Sequence, residues 1–366
     1  MNEIWILGAT GRTGRAVADR LAADGATPVL VGRDPARLRA LAETLPGTAQ
    51  VVPAGSVDEA AALARDAAPA VVVNTIGPFT RTAPTVVAAG THYVDLANDL
   101  PAVTALLDRH DAAVAAGRCL VTGGGFGVVG TESALRRLCA DRPTPARVRV
   151  DAVPMVHSDP GPIGPTLAAT IVDGFTAGGR RYEKGRLVRT RLGSDPARLL
   201  LPDGSTVGTT GMPSGELVAA HRASGAPEVV SASSMVPSGT ASRAILPMVA
   251  ALLSRPVIAR AARGALARAR GSGRPPARRY TWARARAWWP DGSSREVWLR
   301  AGEAMAFTAA ITATVAARLA AGEGRPGAYT PGALFGPELA IAAGGEFLLG
   351  ADGAVADPAR DASPTS

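Results

Sequence analysis

A glycine-rich stretch near the start of the chain constrains the fold more than any other feature. An apolar run at 4–7 comes before it, and a helical pattern with apolar Val17 and Leu21 comes after it. A glycine motif between a strand and a helix is the fingerprint of a dinucleotide-binding unit, because it lets the backbone and the helix N-terminus approach the pyrophosphate. The sequence therefore predicts that the pyrophosphate is held by Gly8, Ala9, Thr10, Gly11, Arg12, Thr13 and Gly14.

Strands and helices alternate through the first third of the chain. Short apolar runs predict further strands at 27–31, 49–53, 70–74, 93–96 and 119–122, and helical patterns lie between them, the longest at 101–116. Alternation at this interval implies right-handed crossovers and a parallel sheet. The predicted fold class is α/β, with an N-terminal doubly wound Rossmann parallel sheet and a second α+β domain.

The rhythm changes after Gly130. A helix is predicted at 131–139 and a strand with one polar face at 147–156. A prior of roughly 150 residues per domain favours two domains for 366 residues. We predict a dinucleotide-binding Rossmann domain at 1–130, an α+β substrate domain at 131–325, a C-terminal segment at 326–351 that packs back on the first domain, and a disordered tail at 352–366.

The end of the second predicted strand indicates which dinucleotide is bound. An NAD-specific site places an acidic residue here to hold the ribose 2′-hydroxyl, whereas this chain has Gly32 followed by Arg33. A guanidinium at this point can bind a 2′-phosphate, and Arg12 and Arg37 add charge from either side. Asp34 is interpreted as a helix cap. The sequence therefore predicts NADP as cofactor.

Five segments within the first 140 or so residues carry a family resemblance. They are GATGRTG, VGRDPARL, VVVNTIGPF, AAGTHYVDL and VTGGGFGVVGTESAL. Together they resemble the saccharopine dehydrogenase-like reductases, a group that includes trans-acting enoyl reductases. The resemblance implies hydride transfer between NADPH and a C=N or C=C bond, in a cleft between two domains.

The resemblance also implies which residues line the nicotinamide half of the cofactor. They follow the fourth and sixth strands: Asn74, Thr75, Ile76, Gly77, Pro78, Phe79, Gly125 and Phe126. Phe79 is equally compatible with a hydrophobic plug, and the glycines at 123–125 with a tight strand-to-helix turn. Family members commonly read Asp-Leu-x-Gly-Glu after the fifth strand, but this chain reads DLAND at 95–99, which leaves the role of that corner open.

Two residues are candidates for the proton donor that such a reduction requires. His157 follows the predicted strand at 147–156 and enters a glycine-proline loop, and imidazole titrates near neutral pH. The alternative is an ordinary loop histidine. Tyr182 lies in a charged run with Lys184, a pattern that is also typical of a solvated face. His92 is predicted to be structural.

Composition narrows the partners and the compartment. The net charge is +8, but only 4% of residues are aromatic, which argues against nucleic-acid binding. Two cysteines, Cys119 and Cys139, are too few for a disulfide framework or a metal cluster, so we expect no metal and a reducing cytoplasm. Lys184 is the only lysine, which favours a less charged or carrier-bound substrate over one with several carboxylates.

Two apolar segments bear on membranes. The run at 304–317 is shorter than the roughly 20 residues of a spanning helix and is predicted to be a buried core helix. The stretch at 245–270 has helical spacing and a basic face. It is predicted to pack on the second domain, with peripheral membrane contact or closure over a substrate as alternatives. A homo-oligomer is compatible with the sequence.

The sequence therefore predicts an NADPH-dependent oxidoreductase that reduces an activated C=C or C=N bond of a small or carrier-bound metabolite. Two alternatives stay open. One is a non-catalytic NADP-sensing protein, which also begins with a GATGxxG loop. The other is a redox-neutral synthase that keeps its cofactor tightly bound.

Overall fold

The computed structural model describes residues 3–156, 168, 172, 174, 178–269 and 278–349. Within these residues the chain forms two β-sheets. The predicted proton donor His157 and the tail at 352–366 lie outside the described residues.

The first sheet is parallel and comes mainly from the N-terminal third. Its strands there are β1 (Ile4–Leu7), β2 (Pro28–Gly32), β3 (Gln50–Pro53), β4 (Val71–Asn74), β5 (His92–Asp95) and β6 (Cys119–Val121). The connecting helices are α1 (Arg12–Ala23), α2 (Pro35–Thr44), α3 (Val57–Ala67), α4 (Phe79–Val87), α5 (Leu100–Leu107) and α6 (His110–Ala115). The order β6-β5-β4-β1-β2-β3 reverses between β1 and β4, so the ligand crevice is expected at their carboxyl ends.

The second sheet is mixed. Its strands include β7 (Arg147–Val153), β8 (Gly179–Glu183), β9 (Arg186–Thr190), β10 (Ala197–Leu200), β11 (Thr206–Gly211), β12 (Glu228–Ser233), β13 (Thr281–Trp288) and β14 (Ser294–Ala301). The helices among them are α7 (Phe126–Cys139), α8 (Gly215–Ser224), α9 (Thr240–Leu253) and α10 (Pro256–Arg268). Central β7 pairs in parallel with β12 and antiparallel with β13. The predicted fold class, a Rossmann sheet with a second α+β domain, is confirmed.

The C-terminal region connects the two sheets. Helix α11 (Ala304–Ala320) packs against α1 and β4 of the first sheet. Strand β15 (Gly327–Tyr329) then extends the first sheet beside β6, the short helices α12 (Pro331–Phe335) and α13 (Glu338–Ala342) follow, and β16 (Glu346–Leu349) pairs with β14 of the second sheet. The chain thus returns to the first sheet before the division expected at 325, and β16 leaves it again.

Some helices differ from their predicted bounds for local reasons. The helix predicted at 101–116 is two helices, because α5 ends at Leu107 and α6 begins at His110. Helix α7 begins at Phe126, five residues before its predicted start. The stretch at 245–270 is a hairpin, with Pro256 in the first turn of α10. In the part of the chain that the structure describes, no helix is long and apolar enough to cross a bilayer.

Candidate functional site

The loop between β1 and α1 lies at the point where the strand order reverses. The backbone N–H groups of Gly8 and Ala9 donate to the carbonyl oxygen of Val31, at 3.0 and 3.1 Å, and so connect the loop to β2. A Cβ on Gly14 would overlap the Gly8 carbonyl and lie 2.9 Å from the Cα of Ala9. Only glycine therefore permits this close packing of α1 on the loop. Of the other motif residues, Thr10 lies in the turn, and Arg12 and Thr13 are the first two residues of α1.

The N-terminus of α1 opens to solvent at Gly11. Gly11 is exposed and gives α1 no side-chain cap, and a Cβ on it would meet only the Gly8 carbonyl oxygen, at 3.1 Å. Side chains cap only some of the described helices: Asp34, Ser56, Asp99 and Glu303 cap α2, α3, α5 and α11. An open, uncapped helix start favours a phosphate, because its N–H groups and its dipole both attract negative charge. The pyrophosphate of a dinucleotide fits this cradle.

The arginines at the end of β2 lie on the surface beside this loop. Asp34 accepts hydrogen bonds from the N–H groups of Ala36 and Arg37, at 3.0 and 3.1 Å, so it caps α2 as the sequence predicts. Arg33 and Arg37 are both exposed. A shallow pocket of about 280 Å³ opens between α1 and α2, lined by Arg15, Arg37, Ala40, Leu41 and Thr44.

The side chain of Asn74, at the end of β4, is fully buried. Its Nδ2 donates to Thr82 Oγ1 at 3.0 Å and to the Tyr93 hydroxyl at 3.2 Å, and its Oδ1 accepts from the Ile76 N–H at 3.0 Å. The hydroxyl of Thr75 likewise donates to a backbone carbonyl of β1, at 2.7 Å. These two side chains hold the strand ends together, so only their backbone is left to face a cofactor.

The loop after Asn74 continues to the start of α4. It contains a cis peptide bond between Gly77 and Pro78. The Ile76 side chain packs beside the glycine loop, since a Cβ on Gly8 would lie 2.9 Å from its Cγ1. Phe79 packs against an apolar cluster that includes Ala97, Leu100, Val103 and Val218. Of the two interpretations of Phe79, this packing favours a hydrophobic plug over a cofactor contact.

Asp95, at the end of β5, is a buried carboxyl that the sequence did not identify as part of the site. It accepts hydrogen bonds from Tyr93 and Thr122, at 2.9 and 2.7 Å. It also accepts from the N–H groups of Ala97 and Gly123, at 3.0 and 3.3 Å. Burial raises the pKa of Asp95 to about 6, although these hydrogen bonds act in the opposite direction. The carboxyl connects β5 to β6 beneath the crevice.

The turn between β6 and α7 forms the far side of the crevice. A Cβ on Gly124 would lie 2.8 Å from the Asp95 carbonyl oxygen, so the backbone passes too close for any side chain. Gly125 precedes α7 without a side-chain cap. Phe126 is buried, its N–H donates to Thr308 Oγ1 of α11 at 3.0 Å, and its ring contacts Phe307 edge to face. The Phe126 side chain therefore belongs to the core between α7 and α11.

A second buried carboxyl, Glu216, lies where the second domain meets this turn. With its side-chain amide oriented to donate, Asn98 Nδ2 lies 2.9 Å from Glu216 Oε2. The backbone carbonyl of Asn98 also accepts a hydrogen bond from the Gly215 N–H, at 2.8 Å. A Cβ on Gly127 would collide with the same carboxylate. Burial raises the pKa of Glu216. The DLAND segment thus anchors the start of α8. The sequence alone does not indicate this contact, because Asn98 and Glu216 are far apart along the chain.

The ring contact of Tyr182 is with α8 of the second domain. Its ring stacks on His221, with centroids 3.8 Å apart. His221 lies five residues after Glu216 on α8, about 7.5 Å along the helix axis at 1.5 Å per residue. Lys184 is exposed in the turn between β8 and β9. His157 lies outside the described residues, whose last member before it, Val156, follows the end of β7.

Comparison with known proteins identifies the first domain. Residues 4–121 match the model of the saccharopine dehydrogenase NADP binding domain. No curated protein sequence matches the chain significantly.

Among solved structures, apo saccharopine dehydrogenase (L-Glu forming) from Saccharomyces cerevisiae is similar in fold. It is 14% identical, with 93% of this chain and 96% of that chain covered and a TM-score of 0.58. A myo-inositol dehydrogenase from Corynebacterium glutamicum is also 14% identical, with 93% and 94% covered, but its TM-score is 0.43. Residues 4–121 therefore match a known NADP-binding domain, and the chain is similar in fold to saccharopine dehydrogenase.

Proposed function

We propose that this chain is an NADPH-dependent oxidoreductase that reduces an activated C=C or C=N bond of a small or carrier-bound metabolite. One observation carries the proposal. An open, uncapped start of α1 lies beside an arginine, Arg33, at the position that selects the dinucleotide, and the neighbouring acid Asp34 is engaged as a helix cap. Negative charge is therefore favoured at both the pyrophosphate and the 2′-phosphate.

Different residues are proposed to hold different parts of the cofactor. In this proposal the backbone of the glycine loop holds the pyrophosphate, and Arg33, Arg12 and Arg37 hold the 2′-phosphate. The backbone at 75–78 and 123–125 borders the nicotinamide, because both segments follow strand ends at the crevice. Bound NADPH supplies the hydride.

The proton source is proposed to be His157. It follows β7, and the Met155 carbonyl two residues earlier accepts a hydrogen bond from the Ala304 N–H at the start of α11, at 2.9 Å. This contact brings the end of β7 to a helix that packs on the first sheet. Tyr182 is the weaker candidate, since its ring is stacked on His221.

The second domain favours an enzyme over a sensor of NADP. Its contacts converge on the cofactor edge, where Asn98 and Glu216 meet at the start of α8 and Thr308 bonds to Phe126. A cleft between two domains would exclude water from a reactive bond, which a sensor does not require.

Substrate turnover tests the proposal. The purified chain is mixed with NADPH and a panel of enoyl thioesters and cyclic imines, and product is counted against NADPH oxidised. We expect one NADPH consumed per product with at least one class. Product without net NADPH consumption would identify the redox-neutral synthase instead. Tight NADPH binding with no turnover across the panel would support the sensor.

A further inference from the structure

The hairpin of α9 and α10, here called the basic hairpin (240–269), exposes an apolar stripe that the proposed function does not use. On α9, Ile245, Met248 and Leu252 are 49%, 59% and 43% exposed. Their spacing puts them on one face of the helix. On α10, Val257 is 76% exposed and Ala259 is the one described residue that is buried. Large apolar side chains grouped in this way mark an interaction surface.

The sequence that contains this stripe carries charge of a single sign. From Val229 to Pro290 the sequence contains no aspartate or glutamate. The hairpin itself contains five arginines: Arg243, Arg255, Arg260, Arg263 and Arg268. At 100° per residue, the α10 residues Arg260 and Arg268 lie within about 80° of Val257, so positive charge and apolar surface share the exposed face.

We propose that the basic hairpin binds an anionic lipid surface. In this arrangement α9 and α10 lie in the plane of the interface, with the apolar stripe among the acyl chains and the guanidinium groups on lipid phosphates. Anionic lipid attracts such clusters of arginine. A pocket of about 400 Å³ at the bend has both kinds of lining that a lipid headgroup needs: Leu253, Ser254, Pro256, Ala259, Arg260 and Arg263.

Other occupants fit the surface less well. A second copy of the chain in a twofold interface would bring two arginine-rich hairpins together, and their like charges repel. An acidic carrier protein would match the charge, but it would not by charge alone account for the exposed stripe of Ile245, Met248 and Leu252. The lipid surface uses both features. The inference does not depend on the proposed reaction.

Vesicle co-sedimentation of the full chain tests the proposal. The probes are vesicles of phosphatidylcholine alone and of phosphatidylcholine mixed with phosphatidylglycerol. We expect partition into the anionic vesicles to exceed that into the neutral ones by at least roughly tenfold and to fall with added salt. The double variant Arg255→Glu, Arg260→Glu should lose this preference, and Met248→Ser, Leu252→Ser should weaken binding to the anionic vesicles.

Matched controls lie elsewhere on the surface. Arg65→Glu with Arg198→Glu reverses two exposed charges away from the hairpin, and Leu200→Ser removes an apolar side chain that is 70% exposed on β10. Both should bind vesicles as the parent chain does. Circular dichroism and NADPH affinity should be native in every variant, because each altered residue is exposed and away from the glycine loop.

Three results would overturn the proposal. The first is equal or absent binding to the two kinds of vesicle. The second is a hairpin variant that binds as tightly as its control. The third is binding to an acidic acyl carrier protein without binding to anionic vesicles, which would assign the basic hairpin to a protein partner instead.

Discussion

Arg33 is the residue on which the choice of cofactor depends. It lies at the end of β2, exposed, where an NAD-specific domain would place an acid. Its neighbour Asp34 could have replaced that acid, but its carboxylate is engaged by two N–H groups of α2. The electrostatics at this corner therefore favour a 2′-phosphate.

We predict that the chain binds NADPH at least about tenfold more tightly than NADH, a difference of at least about 1.4 kcal/mol. The variant Arg33→Asp should abolish the difference in affinity, because it replaces the phosphate-binding guanidinium with a carboxylate that repels the 2′-phosphate. Calorimetry with the two cofactors measures it. Arg39→Asp, an exposed residue on another face of α2, is the control. Unchanged NADPH affinity in Arg33→Asp would place the phosphate elsewhere.

Gly11 and Gly14 belong to one motif but have different physical roles. Gly11 is exposed at the open front of α1, whereas Gly14 touches the loop backbone. We predict that Gly11→Val keeps a native circular dichroism spectrum and loses NADPH fluorescence enhancement, because the side chain occupies the phosphate approach. Gly14→Val should instead unfold at a clearly lower temperature. Cofactor binding retained by Gly11→Val would show that the loop is not the cradle.

His157 is the proposed general acid. We predict that His157→Gln lowers kcat by about two to four orders of magnitude and leaves NADPH affinity unchanged, since a positioned acid contributes that much. A raised KM with kcat preserved would instead indicate substrate positioning. Steady-state kinetics on the substrate found by the panel decide between them, with His92→Gln, at the amino end of β5, as control. Kinetics equal to the parent chain would make Tyr182 or solvent the proton source.

At the scale of elements, the first sheet was predictable and its packing was not. Strands β1 to β6 lie within one residue of their predicted ends, because most of them are covered on both faces and read as short apolar runs. The sequence predicts the start of α7 too late, because its glycines indicate a break. In the structure Gly125 occupies the N-cap position, and the helix begins directly after it. Helix α11 was correctly predicted to be buried, but its apolar pattern does not say which sheet it covers.

In the candidate site, too, local sequence patterns were predictable and contacts between distant residues were not. The glycine motif and Arg33 were identified because local order alone defines their roles. Contacts between distant positions, such as that of Asn98 with Glu216, leave no local signal. The sequence places Asp95 in the DLAND segment but does not indicate a role for it. That role depends on the burial of its carboxyl and on the hydrogen bond from Thr122, which follows β6, and only the folded sheet brings these two residues together.

Asp95 gives the first sheet a dependence on pH. Its pKa is raised to about 6 in the folded chain from an ordinary 3.8, so the folded state binds the proton more tightly than the unfolded state does. The contribution of Asp95 to stability should therefore fall as the pH rises from about 4 to about 6, by roughly 3 kcal/mol for a shift of this size. Glu132 and Glu216 also have raised pKa values and act in the same direction, whereas Asp151 and Glu296 have lowered pKa values and act in the opposite direction.

We predict that Asp95→Asn removes this share of the pH dependence. The amide cannot ionise, yet its oxygen can still accept from Thr122 and Ala97. Urea unfolding at several pH values should show that the parent chain loses roughly 3 kcal/mol more than the variant between about pH 4 and pH 7. The exposed Asp66→Asn serves as control. Parallel curves for parent and Asp95→Asn would mean that Asp95 ionises freely when folded.

At the scale of the molecule, the chain crosses between its two sheets more than once. After β14 of the second sheet, α11 packs on α1 of the first, β15 extends the first sheet, and β16 returns to pair with β14. The core reflects this path, since one apolar cluster includes residues of both sheets such as Val73, Ala152 and Leu299. Neither sheet can therefore lose its packing without exposing part of the other.

We predict that the described core unfolds in one thermal transition and that NADPH shifts all of it. At about 100 times its Kd the cofactor stabilises the folded chain by about 2.7 kcal/mol, which raises the Tm by about 3 °C for a chain of this length. Scanning calorimetry with and without NADPH measures the shift, and Gly11→Val should show none. Two transitions, of which NADPH moves only one, would show that the sheets unfold independently despite their shared core.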